Sequence, residues 1–125
     1  MPAKKILIVD DDPEVVQYFK ALFEDSGYAT ATASDGVEAL DKIHIEQPDL
    51  VTLDVTMPNK TGVKVYREIK QDAQLQALPV IIVSGVRSEF RGFISSRRQV
   101  PPPDGYLEKP VALEHLLAEV HRLIG

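Results

Sequence analysis

Acidic side chains stand at the ends of two short apolar runs in this chain. Residues 6–9 lead into Asp10, Asp11 and Asp12, and residues 50–53 lead into Asp54. Two unit charges about 4 Å apart repel by on the order of 4 kcal/mol at an effective dielectric near 20, so converging acids favour a bound cation. Mg²⁺ prefers oxygen ligands and commonly shares them with phosphate. The pattern indicates a magnesium site beside a phosphoryl group, with Asp54 as the nucleophile.

A hydroxyl and a lysine follow two further apolar runs. Residues 80–83 end in Ser84, and a short segment starting at Tyr106 leads to Lys109. An ammonium group balances charge on a transferring phosphoryl group, and a hydroxyl donates a hydrogen bond to it. Parallel strands in open α/β sheets place such groups at one edge. Each residue alone also fits an ordinary turn or surface position. The interpretation therefore depends on the acids, the hydroxyl and the lysine all standing at predicted strand ends.

The elements that position these residues alternate between strand and helix patterns. Apolar residues recur at helical spacing from Pro13 to about Ser26, from Gly36 to near Pro48, after Gly62, and over residues 113–124. Asp12 precedes Pro13, which predicts a helix N-cap rather than a metal ligand. Strand patterns cover residues 6–9, 28–33, 49–54, 80–84 and 106–107. This alternation implies right-handed crossovers and a parallel sheet with helices on both faces.

Length and composition place limits on the class of protein. At 125 residues the chain fits one α/β domain over residues 1–125, and it contains no cysteine for disulfides or thiolate metal sites. The net charge of −5 disfavours direct binding to nucleic acid. No apolar stretch approaches the roughly 20 residues that a membrane helix requires. We therefore expect a cytoplasmic protein without a membrane partner.

The sequence does not predict a regular secondary structure for one stretch. Residues 85–103 contain four arginines, a glycine at position 92 and three prolines at 101–103, so a regular helix there is doubtful. The three histidines have no metal-ligand spacing, and we assign them no role.

Four segments together resemble the receiver domain of two-component response regulators, and the resemblance covers essentially all of the chain. They are Ile-Leu-Ile-Val-Asp-Asp at 6–11, Ser-Asp-Gly-Val-Glu-Ala-Leu at 34–40, Pro-Asp-Leu-Val-Thr-Leu-Asp at 48–54 with Met57-Pro58, and Tyr-Leu-Glu-Lys-Pro at 106–110. The resemblance implies a flavodoxin-like, three-layer doubly wound sandwich whose five parallel strands run in the order 2-1-3-4-5.

The resemblance also implies roles for the residues at the strand ends. Asp54 would accept a phosphoryl group from a phosphohistidine on a sensor histidine kinase or phosphotransfer protein. Mg²⁺ would be bound directly by Asp11, Asp54 and the backbone carbonyl of Thr56, and through water by Asp10. Lys109 would contact the phosphoryl group, and Ser84 and Tyr106 would form the switch pair. The signal would pass to a downstream protein partner or a fused output domain, with a homodimer as a further arrangement.

Two other functions stay open at this point. A haloacid-dehalogenase-type phosphatase also uses an aspartyl nucleophile, but residues 54–56, Asp-Val-Thr, lack the second acid that would protonate the leaving group. A pseudo-receiver would keep the fold as a binding module that does not depend on phosphate. The receiver interpretation makes the chain a phosphorelay switch that catalyses only its own phosphorylation and dephosphorylation.

Overall fold

The computed structural model describes residues 3–54, 62–84, 104–108 and 111–125. Its strands are β1 (Lys5–Val9), β2 (Ala29–Ala33), β3 (Leu50–Asp54), β4 (Val80–Ser84) and β5 (Gly105–Glu108). The helices within these ranges are α1 (Pro13–Asp25), α2 (Gly36–Glu46), α3 (Gly62–Gln71) and α4 (Leu113–Ile124). Thr56, Lys109 and the 85–103 segment lie outside the described residues.

The five strands form one parallel sheet in the order β2-β1-β3-β4-β5, which confirms the predicted topology. Val9 pairs with Leu53 across β1 and β3, and Asp54 pairs with Val83 across β3 and β4. The carboxyl ends of the three central strands therefore lie side by side at one edge. This edge is where the sequence predicts the acids and the hydroxyl.

Alternation along each strand separates two apolar cores. Leu7 and Val9 of β1 face the core that α2 and α3 cover, whereas Ile6 and Ile8 face the core that α1 and α4 cover. The central strand is buried along its whole length. Strands buried on both faces are typical of parallel sheets, whose crossover helices cover both sides. The result is the three-layer sandwich expected from the sequence.

Side-chain caps fix where two helices begin. The Asp12 carboxylate accepts the Glu14 N–H, which confirms Asp12 as the N-cap of α1. The Asp35 carboxylate accepts the N–H of Glu38 at the start of α2. Removing such a cap costs typically about 1 kcal/mol of stability.

Two strands begin one residue later than the sequence predicts. The Tyr28 N–H is taken by the carbonyl of Phe23, which closes the turn after α1 and starts β2 at Ala29. The Asp49 N–H donates to the Lys5 carbonyl, and the Asp49 carboxylate accepts the Lys5 N–H. β3 therefore starts at Leu50.

At the amino ends of the strands, the beginning and the end of the described chain lie close together. The Lys4 ammonium donates to the backbone carbonyl of Ile124 at the end of α4. The Tyr28 hydroxyl lies 3.0 Å from Nδ1 of His121 in the last turn of the same helix. Within the described ranges, no helix has the length and hydropathy to cross a membrane.

Candidate cation and phosphoryl site

Three carboxylates converge at the carboxyl edge of the sheet. Each of Asp10, Asp11 and Asp54 offers an oxygen within 4.8 Å of the others. Asp54 is the last residue of β3, while the other two follow β1 directly. Because β1 and β3 are adjacent and in register, the chain brings these acids together across more than forty positions of sequence.

The three acids differ in their exposure to solvent. Asp10 and Asp54 are only 2% and 1% exposed, whereas Asp11 is open to solvent. Buried charges are weakly screened, so repulsion between the two buried carboxylates is stronger than between surface acids. A cation at this edge would relieve that repulsion.

The backbone on both sides holds Asp10 in place. Its N–H donates to the carbonyl of Ala33 at the end of β2, at 3.1 Å. Its Oδ1 accepts the N–H of Asp12 at 2.9 Å. A buried carboxylate that is fixed by its neighbours presents its oxygens in a defined direction, which favours a specific ligand over a diffuse counterion.

The donor set fits Mg²⁺. All three members of the group are carboxylates, and no histidine or cysteine joins them among the residues that the structure describes. Hard oxygen donors suit magnesium, which usually binds through one or two carboxylates plus water and phosphate oxygens.

The remaining predicted site residues are placed in part. Ser84 is the last residue of β4, one strand away from Asp54, and it pairs with Glu108 of β5. Tyr106 lies within β5, where its partly buried ring packs against the core that α2 and α3 cover. The predicted lysine at 109 directly follows the described part of β5, and the predicted carbonyl ligand at 56 follows β3 by two positions. Both residues are among those that the structure does not describe.

A cleft of about 350 Å³ adjoins the acids and was not predicted from the sequence. It lies between the first turns of α1 and α2, and its lining includes Asp10, Asp11, Gln17, Ser34 and Glu38. The Glu38 carboxylate accepts the Ser34 N–H at 3.1 Å. An acid three residues after an N-cap is the sequence signal of a capping box, and it could have placed Glu38 at this edge.

The fold and the acid cluster define a class of signalling proteins, the receivers of response regulators. Residues 6–121 match the response regulator receiver domain family, and the chain belongs to it. No family of enzymes is indicated by this match.

Curated relatives carry the same segment within longer proteins. The chain is 35% identical over 121 residues to the alkaline phosphatase synthesis transcriptional regulatory protein PhoP of Bacillus subtilis, covering 97% of this chain and 48% of that protein. It is 38% identical over 127 residues to the response regulator MprA of Mycobacterium sp. strain KMS, covering 99% of this chain and 51% of that protein. The chain thus spans about half the length of the curated relatives it matches.

Solved structures agree on the fold. A CheY-like receiver domain protein from Methanospirillum hungatei superposes with a TM-score of 0.84 at 28% identity, over 96% of this chain and 92% of that one. The receiver domain of a signal transduction histidine kinase from Syntrophus aciditrophicus gives 0.86 at 30% identity, over 98% and 90%.

Proposed function

We propose that the chain is one receiver domain over residues 1–125 and acts as a phosphoacceptor switch in a two-component phosphorelay. The observation that carries the proposal is the convergence of Asp10, Asp11 and Asp54 at the carboxyl edge of the sheet. Membership of the receiver family supports it, because the resemblance to that family implies roles for the same three acids.

Asp54 is the proposed nucleophile. A carboxylate oxygen of Asp54 forms the new bond to phosphorus while the phosphorus–nitrogen bond of a donor phosphohistidine breaks, and the departing imidazole takes up a proton. Mg²⁺ bound by Asp11, Asp54 and the Thr56 carbonyl, with Asp10 acting through water, would supply positive charge beside the phosphoryl oxygens. Lys109 would add a further positive charge from the end of β5. These groups act by positioning and charge, which dominate catalysis of phosphoryl transfer.

The switch would follow from the added charge. A phosphoryl group brings close to two negative charges to a buried strand end, and this favours the conformation in which donors approach it. We assign that response to Ser84, at the end of the neighbouring strand, and to Tyr106 in β5. The partners proposed are a sensor histidine kinase or phosphotransfer protein upstream, and a protein partner or output domain downstream.

Mass spectrometry after incubation with a small phosphodonor and Mg²⁺ tests the proposal. The wild-type chain should gain the mass of one phosphoryl group, stable in acid and labile in base. Asp54→Asn or addition of a chelator should abolish the gain. Asp25→Asn, which alters an exposed acid at the end of α1, should leave it unchanged.

A folded wild-type chain that stays unmodified would refute the switch and favour the pseudo-receiver. Turnover of many equivalents of a phosphomonoester would instead favour a phosphatase.

A further inference from the structure

Asp12 makes three contacts that connect the start of α1 to the acid cluster. Its carboxylate accepts the Glu14 N–H at 2.9 Å, and its carbonyl accepts the Val16 N–H at 3.1 Å. Its own N–H donates to Oδ1 of Asp10 at 2.9 Å. One residue therefore begins the helix with its side chain and carbonyl while it holds a cluster carboxylate with its amide.

The cap determines where that amide points. Asp12 has φ −92° and ψ 110°, the extended conformation that an N-cap requires. Pro13 restricts the residue before it to the same region, so the cap and the proline act together. With this conformation fixed, the Asp12 N–H is aimed back at Asp10. Loss of the side-chain cap would let the first turn fray and loosen the amide.

The carboxylate that receives this amide has almost no access to solvent. Asp10 is 2% exposed, so its orientation is set by protein groups and not by bulk water. Some residues hydrogen-bond to a metal-binding group and orient it without touching the metal. Removing such a residue typically changes the metal affinity by about 10-fold to 100-fold. We infer that Asp12 is a positioning residue of the cation site, whose capping side chain fixes Asp10 and thereby sets the affinity for Mg²⁺. This inference rests on the proposed function.

Calorimetric titration of the unphosphorylated protein with Mg²⁺ tests the inference without relying on phosphorylation. Asp12→Ala removes the cap and should raise the Kd for Mg²⁺ by about tenfold. Asp12→Asn and Asp12→Ser keep a capping oxygen and remove the charge. Because the side chain is exposed and its charge is screened, both should stay within about threefold of the wild type.

Asp35→Ala is the matched control. Asp35 caps α2 in the same manner, through the Glu38 N–H at 2.8 Å, so its loss should lower the Tm about as much as the loss of Asp12. It should leave the Kd for Mg²⁺ unchanged. If Asp12→Ala does not fold, Asp12→Gly is the substitute, because glycine is tolerated at the N-cap position but supplies no side-chain oxygen.

The outcomes separate the inference from the proposed function. If the wild type binds Mg²⁺ and Asp12→Ala or Asp12→Gly binds it equally well, the inference is overturned while the proposed function stands. It is also overturned if Asp35→Ala weakens binding as much, or if Asp12→Asn binds as poorly as Asp12→Ala. If the folded wild type binds no Mg²⁺, the metal site of the proposed function fails as well.

Discussion

At the scale of single residues, Asp54 and Asp11 carry identical side chains in different surroundings. Asp54 ends the central strand at 1% exposure, whereas Asp11 is open to solvent. The buried position would keep water away from the proposed nucleophile, and the exposed one would allow a hydrated ion to approach. The same burial strengthens the repulsion between the Asp54 and Asp10 carboxylates.

Replacing Asp54 by asparagine should therefore stabilise the protein in the presence of a chelator. The substitution removes one of two buried charges at similar volume, and the free energy of unfolding should rise by about 1 kcal/mol or more. Urea denaturation monitored by circular dichroism measures the difference.

Asp25→Asn is again the control, with an expected change within about 0.5 kcal/mol because its side chain is exposed. Equal or lower stability of Asp54→Asn would show that contacts of the carboxylate outweigh the repulsion.

At the scale of elements, a buried lysine joins α3 to the edge of the sheet opposite the acids. The Lys70 side chain is 6% exposed, and its ammonium donates to the Leu78 carbonyl at 2.9 Å and to the Asp104 carboxylate at 3.3 Å. Asp104 in turn accepts the Val80 N–H at 2.8 Å. This group ties α3, β4 and the residue before β5 to one another.

Tyr66 lies beside this junction in the same helix. Its ring is fully buried, with the Lys70 ammonium 5.9 Å from the ring centroid. Burial raises the pKa of the Tyr66 hydroxyl, and the negative charge of Asp104 raises it further. The Tyr66 hydroxyl therefore stays neutral, and the charged groups beside it are Lys70 and Asp104.

Lys70→Met should lower the free energy of unfolding by about 2 kcal/mol or more. Methionine fills a similar volume but removes the ammonium donor from the Leu78 carbonyl and the countercharge from the Asp104 carboxylate, which keeps the Val80 N–H. Urea denaturation is the measurement.

Lys20→Met is the matched control, because Lys20 forms an exposed pair with Glu24 at 3.7 Å. Such pairs contribute roughly 0 to 1 kcal/mol. Equal losses for both variants would show that the Lys70 junction contributes no more than a surface pair.

At the scale of the whole molecule, ion pairs make stability depend on pH, whether they lie within one helix, as Arg122–Glu119 does, or join two elements, as Lys5–Glu46 does. A hydrogen bond from Arg122 lowers the pKa of Glu119 in α4, and one from Lys5 lowers the pKa of Glu46 at the end of α2. A carboxylate whose pKa is lower in the folded state stabilises the fold above its ordinary pKa of 4.5. That contribution is lost as the pH falls through the lowered value.

Glu119→Gln should accordingly be less stable than the wild type at pH 7 but lose less stability on acidification below about pH 4.5. The free energies of unfolding of the two proteins, measured by denaturation at several pH values between 7 and 3, should converge at the acid end. Parallel curves over this range would contradict a contribution from the Glu119 carboxylate.

Local patterns predicted a parallel sheet with the acids at the carboxyl ends of its strands, and the resemblance to receiver domains implied the strand order. β1, β3 and β4 are built on short apolar runs, and Asp10, Asp11 and Asp54 stand directly after two of these runs, so pairing of β1 with β3 brings the acids together. The starts of β2 and β3 were one residue off, because hydrogen bonds to Phe23 and Lys5 decide them rather than side-chain pattern.

Contacts between residues far apart in sequence were not predictable. Lys70 meets Asp104 across 34 positions, and Tyr28 meets His121 across 93. Neither pair belongs to a periodic pattern or a short motif, and the spacing of His121 gives no signal of its contact with Tyr28. Such partners follow from how helices pack on the finished sheet, which a single sequence does not encode locally.

The contact between Lys4 and Ile124 has a practical consequence for engineering. Both ends of the described chain lie at the amino ends of the strands, so a short linker could join them. Circular permutants opened at an exposed turn should therefore be feasible. Five-residue strands at about 3.3 Å per residue separate these ends from Asp54 by roughly 16 Å. A fluorescent reporter or an affinity tag fused at either end of this chain would therefore lie away from Asp54, the proposed phosphoacceptor.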